Sequence, residues 1–361
     1  RPPPVSQLFP YTPLFRSGRV QGVGFRPFVY RLARQYQLTG GFKNGSDGVH
    51  IQVAGPEDAL NRFVTHLRIK PPPLAIITGY SVHDIEYSGS TTFQILESSD
   101  SGPGEVLLTP DLALCPECCH ELHDPLNRRY HYPFITCTQC GPRYSIIQSL
   151  PYDRPVTTMH PFVMCPACQS EYDDPLNSRH HAQTNSCPEC AILLSWCDAQ
   201  GNILHQNQDT AVTSAAEALL SGFIVAVKGI GGYLLMADAT QERVIEQLRE
   251  RKHRPSKPFA VLYGDKKQLE QDVQLSELAW SKLVSPESPI VLLPFRNEEP
   301  ESGLQRNLVS PGLDQLGVMW AYSPLLNLIS REVGRPIIAT SGNKSGSPIF
   351  YKDEKAISGL E

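Results

Sequence analysis

The period of the hydrophobic positions changes along the chain. Between residues 18 and about 98, short alternating runs and helical stripes succeed one another in the order strand, helix, strand, strand, helix, strand. The stretch Arg26–Tyr36 sets Phe28, Val29, Leu32, Ala33 and Tyr36 on one helical face. Pro27 is tolerated there because a first turn needs no backbone donor. A strand pair crosses the turn-rich Gly45–Gly48 into the alternating Val49–Val53. A second helix opens at Pro56 with Glu57 and Asp58 in its positive first turn, and carries Leu60, Phe63, Val64 and Leu67. Two further strands, near Ile76–Tyr87 and Thr92–Leu96, bracket a turn at Ser88–Ser90. This order predicts an α+β sheet of ferredoxin-like type with both helices on one face.

From 205 to 361 the pattern is instead an alternation of whole helices and buried strands. Helices are predicted at Thr210–Leu220, Gln241–Arg251, near Leu275–Leu283 and at Leu325–Val333. Strands are predicted at Phe223–Val227, Tyr233–Ala237, Pro258–Leu262, Pro289–Leu293, Leu316–Ala321 and Pro336–Ala339. That is an α/β layer fold. The 110–200 stretch follows neither period, and there the cysteines carry the signal. With a leader at 1–17, the predicted parts are therefore 18–98, 110–200 and 205–361.

Eight of the ten cysteines fall in four C-x-x-C pairs: Cys115/Cys118, Cys137/Cys140, Cys165/Cys168 and Cys187/Cys190. The first two pairs and the last two form one unit repeated at an offset of 50 residues, from Cys115 to Cys165. Both copies continue with Glu (Glu121, Glu171), Asp-Pro-Leu-Asn (124–127, 174–177), Arg (Arg129, Arg179) and His (His131, His181). Two such pairs separated by 15–20 residues are the mark of a four-cysteine zinc site. Two structural Zn2+ ions are expected, and four disulfides are not, because the chain lacks a signal peptide and is long enough for ordinary cores. The simplest pairing of knuckles is sequential, with an interleaved one as the alternative. His131 and His181 are expected to support the fold rather than ligate, and Cys119 and Cys197 to remain free thiols.

Composition narrows the rest. The 361 residues suit two or three domains, and the net charge of −5 advertises no general nucleic-acid or membrane surface. No apolar run approaches the length of a membrane span, and a cytoplasmic location is expected. There is no initiator methionine. Leu8–Ser17 resembles a translated sequencing adapter at all but one position, so 1–17 is read as a non-native leader, with a genuine Pro-rich leader as the alternative.

Anion chemistry is predicted at two places. Gly18–Arg26 reads Gly-Arg-Val-Gln-Gly-Val-Gly-Phe-Arg. The loop Gln21, Gly22, Val23, Gly24 and Phe25 would turn backbone N–H groups onto a small phosphate at a helix N-terminus, and Arg26 would supply a planar fork. Downstream, Arg249–Lys257 gathers Arg249, Arg251, Lys252, His253, Arg254 and Lys257 at a helix exit, while Thr340-Ser-Gly-Asn343 follows a buried strand. On charge alone, the basic run reads equally well as a solvated helix end. Gly229-Ile-Gly-Gly232 offers close backbone access to the same cavity.

Three resemblances organise these residues. Val20–Arg26 with Lys43-Asn-Gly-Ser-Asp-Gly-Val49 resembles the acylphosphatase family, which implies Arg26 as phosphate binder and Asn44 as the residue orienting the attacking water. Lys252-His-Arg254, Lys257 and Ser341-Gly-Asn343 resemble the YrdC/Sua5 nucleotide-binding family, which implies ATP and Mg2+ held against Lys252, Arg254, Lys257, Ser341 and Asn343. The order of the three parts, with Tyr132–Tyr144 and Leu150–Pro155, resembles the HypF-type carbamoyltransferases of nickel–iron hydrogenase maturation over about 18–361. That resemblance implies hydrolysis of carbamoyl phosphate, adenylation of the carbamate to carbamoyl-AMP, and transfer to a C-terminal cysteine of a HypE partner. The family continues into a further transfer domain, so the YrdC-like part is expected to be truncated and transfer is not expected of this chain. The alternative function is a zinc-finger and YrdC-type module for double-stranded RNA.

Overall fold

The computed structural model describes residues 9–45, 47–84, 90–98, 107–190, 192–296, 299–344 and 346–360, with the backbone alone for 9–17 and 84. Parts of the predicted turns at 45–48 and 88–90 lie outside the described residues. The chain divides into two compact units, Arg1–Asp111 with Thr136–Cys190, and Leu112–Ile135 with Ala191–Glu361.

The first unit contains β1 (Phe9–Arg19), α1 (Phe25–Gln35), β2 (Thr39–Gly45), β3 (Gly48–Gly55), α2 (Glu57–Ile69), β4 (Ile76–Asp84) and β5 (Phe93–Ile95). Their sheet runs β4-β1-β3-β2-β5, antiparallel except where β5 adds beside β2. This is the predicted ferredoxin-like order with one extra edge strand. The helices bury the predicted stripes with one shift. Phe25 takes the core place in α1, and Phe28 and Tyr36 are only half-buried. In α2, Leu60, Phe63 and Leu67 are fully enclosed, each worth about 1.5–3 kcal/mol of burial. Strand β1 begins inside the stretch read as leader. Pro13 sits opposite Val82 of β4, and the register slips between Leu14 and Ser17.

The duplication is visible in local geometry. Short helices α3 (Pro116–His123) and α4 (Pro166–Asp173) each start on a C-x-x-C pair with proline in the first turn. The Asp-Pro-Leu-Asn segments then make two successive turns in each copy. Asp124 Oδ1 accepts from Leu126 N and Asp174 Oδ1 from Leu176 N, both at 2.9 Å. Asn127 Oδ1 accepts from Arg129 N and Asn177 Oδ1 from Arg179 N, again at 2.9 Å. In each copy the turns lead to a histidine in the left-handed region, His131 at φ 54° and His181 at φ 55°. Their backbone N–H groups return to Leu122 O (2.9 Å) and Tyr172 O (3.0 Å). The repeat in sequence is thus a repeat of side-chain-capped turns.

The second unit holds the hairpin β6 (Trp196–Cys197) and β7 (Ile203–His205), then α5 (Gln208–Leu220), β8 (Val225–Gly229), β9 (Gly232–Asp238), α6 (Glu242–Arg251) and β10 (Ala260–Tyr263). It continues through α7 (Lys266–Asp272), α8 (Glu277–Leu283), β11 (Val291–Pro294), α9 (Arg306–Val309), β12 (Gln315–Trp320), α10 (Pro324–Val333), β13 (Ile337–Ser341) and α11 (Asp353–Gly359). Six strands run β11-β12-β10-β13-β9-β8, with only β10 and β12 parallel. Phe259, Val261, Tyr263, Leu248 and Ile338 lie in one enclosed core cluster. The short α7, α9 and α11 and the β6–β7 hairpin had no sequence forecast. They are too brief to show a full stripe, and α7 is announced mainly by its cap, Asp265 accepting from Gln268 N at 2.9 Å.

Candidate active site

In the first unit, β1 ends in a loop whose two inner glycines are left-handed, Gly22 at φ 71° and Gly24 at φ 74°. Gly24 is the N-cap residue of α1, so the loop hands its N–H groups to a helix N-terminus. Gln21 fixes the loop. Its Nε2 donates to Gly45 O (2.8 Å) and Gly48 O (3.2 Å), and its Oε1 accepts from Tyr152 N (3.0 Å). The Gln21 amide is thereby used in positioning, and Val23 and Phe25 anchor the loop in the core. What remains for an anion is the loop's main chain.

Arg26 lies in the first turn of α1 and Asn44 near the end of β2, and both are buried. They line one pocket of about 30 Å3 with Gly22, Gly24, Arg143 and His181. The Arg26 guanidinium is held at its tips. One terminal nitrogen donates to His181 Nδ1 (3.0 Å), the other to Asp153 Oδ1 (2.9 Å) and Ser98 Oγ (3.4 Å). Among the described residues, Arg26 Nε and Asn44 Oδ1 are buried with no hydrogen-bond partner. An orphaned buried polar atom costs about 1–3 kcal/mol, so a donor and an acceptor left open in one pocket call for a ligand. Arg143, by contrast, spends itself on carbonyls: Gly22 O (2.7 Å), Pro142 O (2.8 Å), Cys140 O (3.1 Å) and Cys137 O (3.1 Å).

Arginine only donates, so His181 Nδ1 accepts and the proton of this neutral ring sits on Nε2. Burial, with Arg26 and His180 adding positive charge, pushes the His181 pKa down to about 2. An unfolded histidine titrates near 6.5, so below that pH the unfolded chain binds a proton that the folded site refuses. Stability should therefore fall as pH drops from about 6.5 toward 4.5. Thermal melts across that range check it, and His181→Asn should flatten the slope. Asparagine suits the left-handed backbone there.

In the second unit the cationic run folds back on the end of β13, although the two segments lie about ninety residues apart in sequence. Lys252 Nζ donates to Ser341 O (2.6 Å) and Asn343 Oδ1 (3.3 Å), Ser341 Oγ donates to Asn343 Oδ1 (2.8 Å), and Arg254 reaches Thr340 Oγ1 (3.3 Å). Lys252, Arg254, Ser341 and Asn343 thus form one cluster, while Lys257 is exposed beside it. Burial and the neighbouring Arg254 lower the Lys252 pKa. The solvated-helix-end reading fails at Arg249. It is buried, donates to Leu308 O, Arg254 O (2.8 Å) and Lys257 O (3.1 Å), and lies over the Phe259 ring at 4.6 Å. It is the clamp of the 252–258 loop. Gly229–Gly232 forms the β8–β9 turn, where a Cβ on Gly232 would meet Phe350 O at 2.7 Å.

The cysteines group sequentially, Cys115, Cys118, Cys137 and Cys140 in one set and Cys165, Cys168, Cys187 and Cys190 in the other. Within each set all four sulfurs lie within 4.8 Å of one another. In the second set, Sγ–Sγ distances are 3.7 Å for Cys165–Cys187, 3.8 Å for Cys187–Cys190 and 3.7 Å for Cys168–Cys190. A disulfide would be near 2 Å. Tetrahedral metal–sulfur bonds of about 2.3 Å give edges of about 3.8 Å. The donor set fits such an ion.

Asp153, His181, Arg143 and Gln183 escaped the site forecast. They stand more than 100 residues from Arg26 in sequence, and only the Tyr132–Tyr144 and Leu150–Pro155 motifs and the repeat histidine marked their neighbourhoods.

The comparisons agree with these three parts. The acylphosphatase family model matches residues 13–95, the HypF finger model 114–147 and 164–197, and the Sua5/YciO/YrdC model, described as telomere recombination, 217–361. An acylphosphatase of Archaeoglobus fulgidus is 39% identical over 83 residues, 92% of its own length. The carbamoyltransferase HypF of Synechocystis is 46% identical over 344 residues, covering 95% of this chain and 44% of that protein. The one from Rhodobacter capsulatus is 44% identical over 340 residues, again 44% of its length. A crystal structure of full-length HypF in its phosphate- and nucleotide-bound form superposes with a TM-score of 0.90 at 39% identity, over 98% of this chain and 45% of that one. Fold and sites together define a multidomain α/β protein that joins an acylphosphatase domain, two four-cysteine fingers and a Sua5/YrdC-type domain. The chain is similar to HypF carbamoyltransferases over almost its whole length, and it spans less than half the length of these relatives.

No helix among the described residues is long and apolar enough to cross a membrane.

Proposed function

We propose that this chain carries the two opening reactions of a cytoplasmic carbamoyltransferase of hydrogenase maturation. At the first site, the 22–25 loop and Arg26 hold the phosphoryl oxygens of carbamoyl phosphate. Asn44 holds a water through its open Oδ1, the water oxygen attacks phosphorus, and carbamate leaves with the bridging oxygen. The observation that carries this reading is the pairing of an unpartnered Arg26 Nε with an unpartnered Asn44 Oδ1 in one pocket at a helix N-terminus. At the second site, Lys252, Arg254, Ser341 and Asn343 hold the phosphates of ATP, with Lys257 at the rim and Mg2+ sharing the charge. A carbamate oxygen attacks the α-phosphorus and pyrophosphate departs, leaving carbamoyl-AMP for a HypE-type acceptor. Each four-cysteine set holds a structural Zn2+, which folds its segment and does no chemistry because no coordination position is open.

Pyrophosphate release tests the coupling. It should require ATP and carbamoyl phosphate together, and release from ATP alone would remove the second site from this role. Lys252→Ala should weaken ATP binding by roughly 10- to 100-fold, the worth of one charge-assisted hydrogen bond. Phosphate release from carbamoyl phosphate should stay at the wild-type rate, and titration calorimetry with a phosphate assay reads both. Double-stranded RNA is disfavoured, since Arg249 is buried as a clamp and Lys252 and Arg254 bend onto β13, leaving little of the run as an open basic face.

A further inference from the structure

We infer that Asp153 and His181 are positioning residues for Arg26, holding the two tips of its guanidinium so that the Nε edge is what meets the anion. The inference rests on reading this pocket as a phosphate site, and it adds to that reading two residues that the acylphosphatase domain does not itself contain.

A buried arginine can point in several directions, and freezing its side chain costs about 2 kcal/mol of rotamer entropy. A site that has frozen it beforehand binds its ligand without that cost. Here both terminal nitrogens are engaged and Nε is left open. Asp153 is itself fixed independently of Arg26. Ser98 Oγ donates to its Oδ2, and Gln183 Nε2 reaches its Oδ1 at 3.4 Å. His181 contributes a neutral acceptor, which orients the guanidinium without cancelling its charge.

The duplication supplies an internal control. His131 has the same left-handed backbone and the same backbone hydrogen bond as His181, yet its side chain is 41% exposed and stacks on Tyr130 at 3.9 Å. The finger fold therefore does not require a buried imidazole at this place. In the second copy the ring is turned to Arg26.

A carboxylate on a phosphate-binding arginine also admits the opposite reading, in which Asp153 competes with the anion and must be displaced. The sign of one measurement separates the two. The probe is inorganic phosphate, titrated into the whole chain by calorimetry, with kcat and KM for carbamoyl phosphate measured alongside. Asp153→Asn keeps the shape and one acceptor and should weaken phosphate binding several-fold, with Asp153→Ala weakening it by about 10-fold or more. His181→Ala should weaken it similarly and His181→Asn, which restores an acceptor, should recover most of the loss. His131→Asn should bind as wild type. The isosteric variants Asp153→Asn and His181→Asn carry the test if the alanine forms fail to fold. Wild-type or tighter phosphate binding in Asp153→Asn overturns the inference, as does a His181→Asn no better than a folded His181→Ala. If the unaltered chain binds no phosphate and turns over no carbamoyl phosphate, the reading of the pocket falls first and the inference with it.

Discussion

Arg26→Ala is expected to lower phosphate release from carbamoyl phosphate by about 10³-fold or more, a loss at or beyond the upper end of what removing a single oxyanion donor costs. Two features of the site place it at that end. Arg143, the other guanidinium on the pocket wall, is committed to four carbonyl groups and cannot stand in for it. The substitution would also leave the Asp153 carboxylate in a partly buried pocket without its cation, facing an incoming anion of like charge. The fold should survive, because Asp153 keeps Ser98 and Gln183. Arg26→Lys should fall between wild type and alanine, retaining a charge but losing the fork that both tips and Nε use. A steady-state phosphate assay reads the effect, and an unchanged rate in the alanine variant discards the assignment of this pocket.

Cys168→Ser should remove one of the two proposed zinc ions and with it nearly all phosphate binding, although the substitution lies far from Arg26 in sequence. Cys168 is fully buried in the first turn of α4, and its carbonyl accepts from Asn185 Nδ2 at 2.9 Å. His181, Ala182 and Gln183 lie on the segment between the two knuckles of that set, and they line the Arg26 pocket. The same segment is tied to its neighbour by Arg154. That guanidinium donates to Gln183 O (2.6 Å), Asn185 O (3.0 Å) and Phe162 O (2.6 Å), while Arg154 N donates to Gln183 Oε1 (2.8 Å). Structural zinc is worth roughly 10–16 kcal/mol in small finger peptides, as much as the whole stability of an average domain. Without the ion, the 165–190 segment has few buried apolar side chains to keep it folded. Metal analysis should give one zinc per chain, and phosphate titration a lost or strongly weakened isotherm. Two zinc ions retained in Cys168→Ser would show that the sulfur set is not the cage.

The sequence spoke clearly wherever the determining contacts are local. Helix stripes, the glycine loop and the C-x-x-C spacing each act within a few residues, so α1, α2, the 21–26 loop and the four C-x-x-C knuckles were readable, whereas the choice between sequential and interleaved pairing of the knuckles came from the fold. The strand order of the first sheet followed from the sequence of elements, and the second sheet's strands from their buried runs. The approach of Lys252 and Arg254 to Ser341 and Asn343 was legible only as a family resemblance, because nothing in either segment encodes a partner about ninety residues away. Arg249 shows the opposite difficulty. At a helix exit a cation is ordinarily solvated, and only the folded loop reveals that its donors meet carbonyls. Asp153 looks like a turn residue and His181 like a repeat position. Their role depends on which way two side chains face after folding, information that neither composition nor periodicity contains.

The twin left-handed histidines imply that the two halves of the duplication are no longer interchangeable. A chimaera carrying the first half twice would be expected to assemble both sulfur cages and pass as well folded by every bulk criterion, yet with tyrosine in place of His180 and proline in place of Gln183 its imidazole would stack on that tyrosine, as His131 does on Tyr130, and leave the guanidinium loose. Purity and thermal endurance would be poor guides to competence in such hybrids, because the symmetry of the segment holds in its capped turns and sulfur sets and fails where one ring meets Arg26.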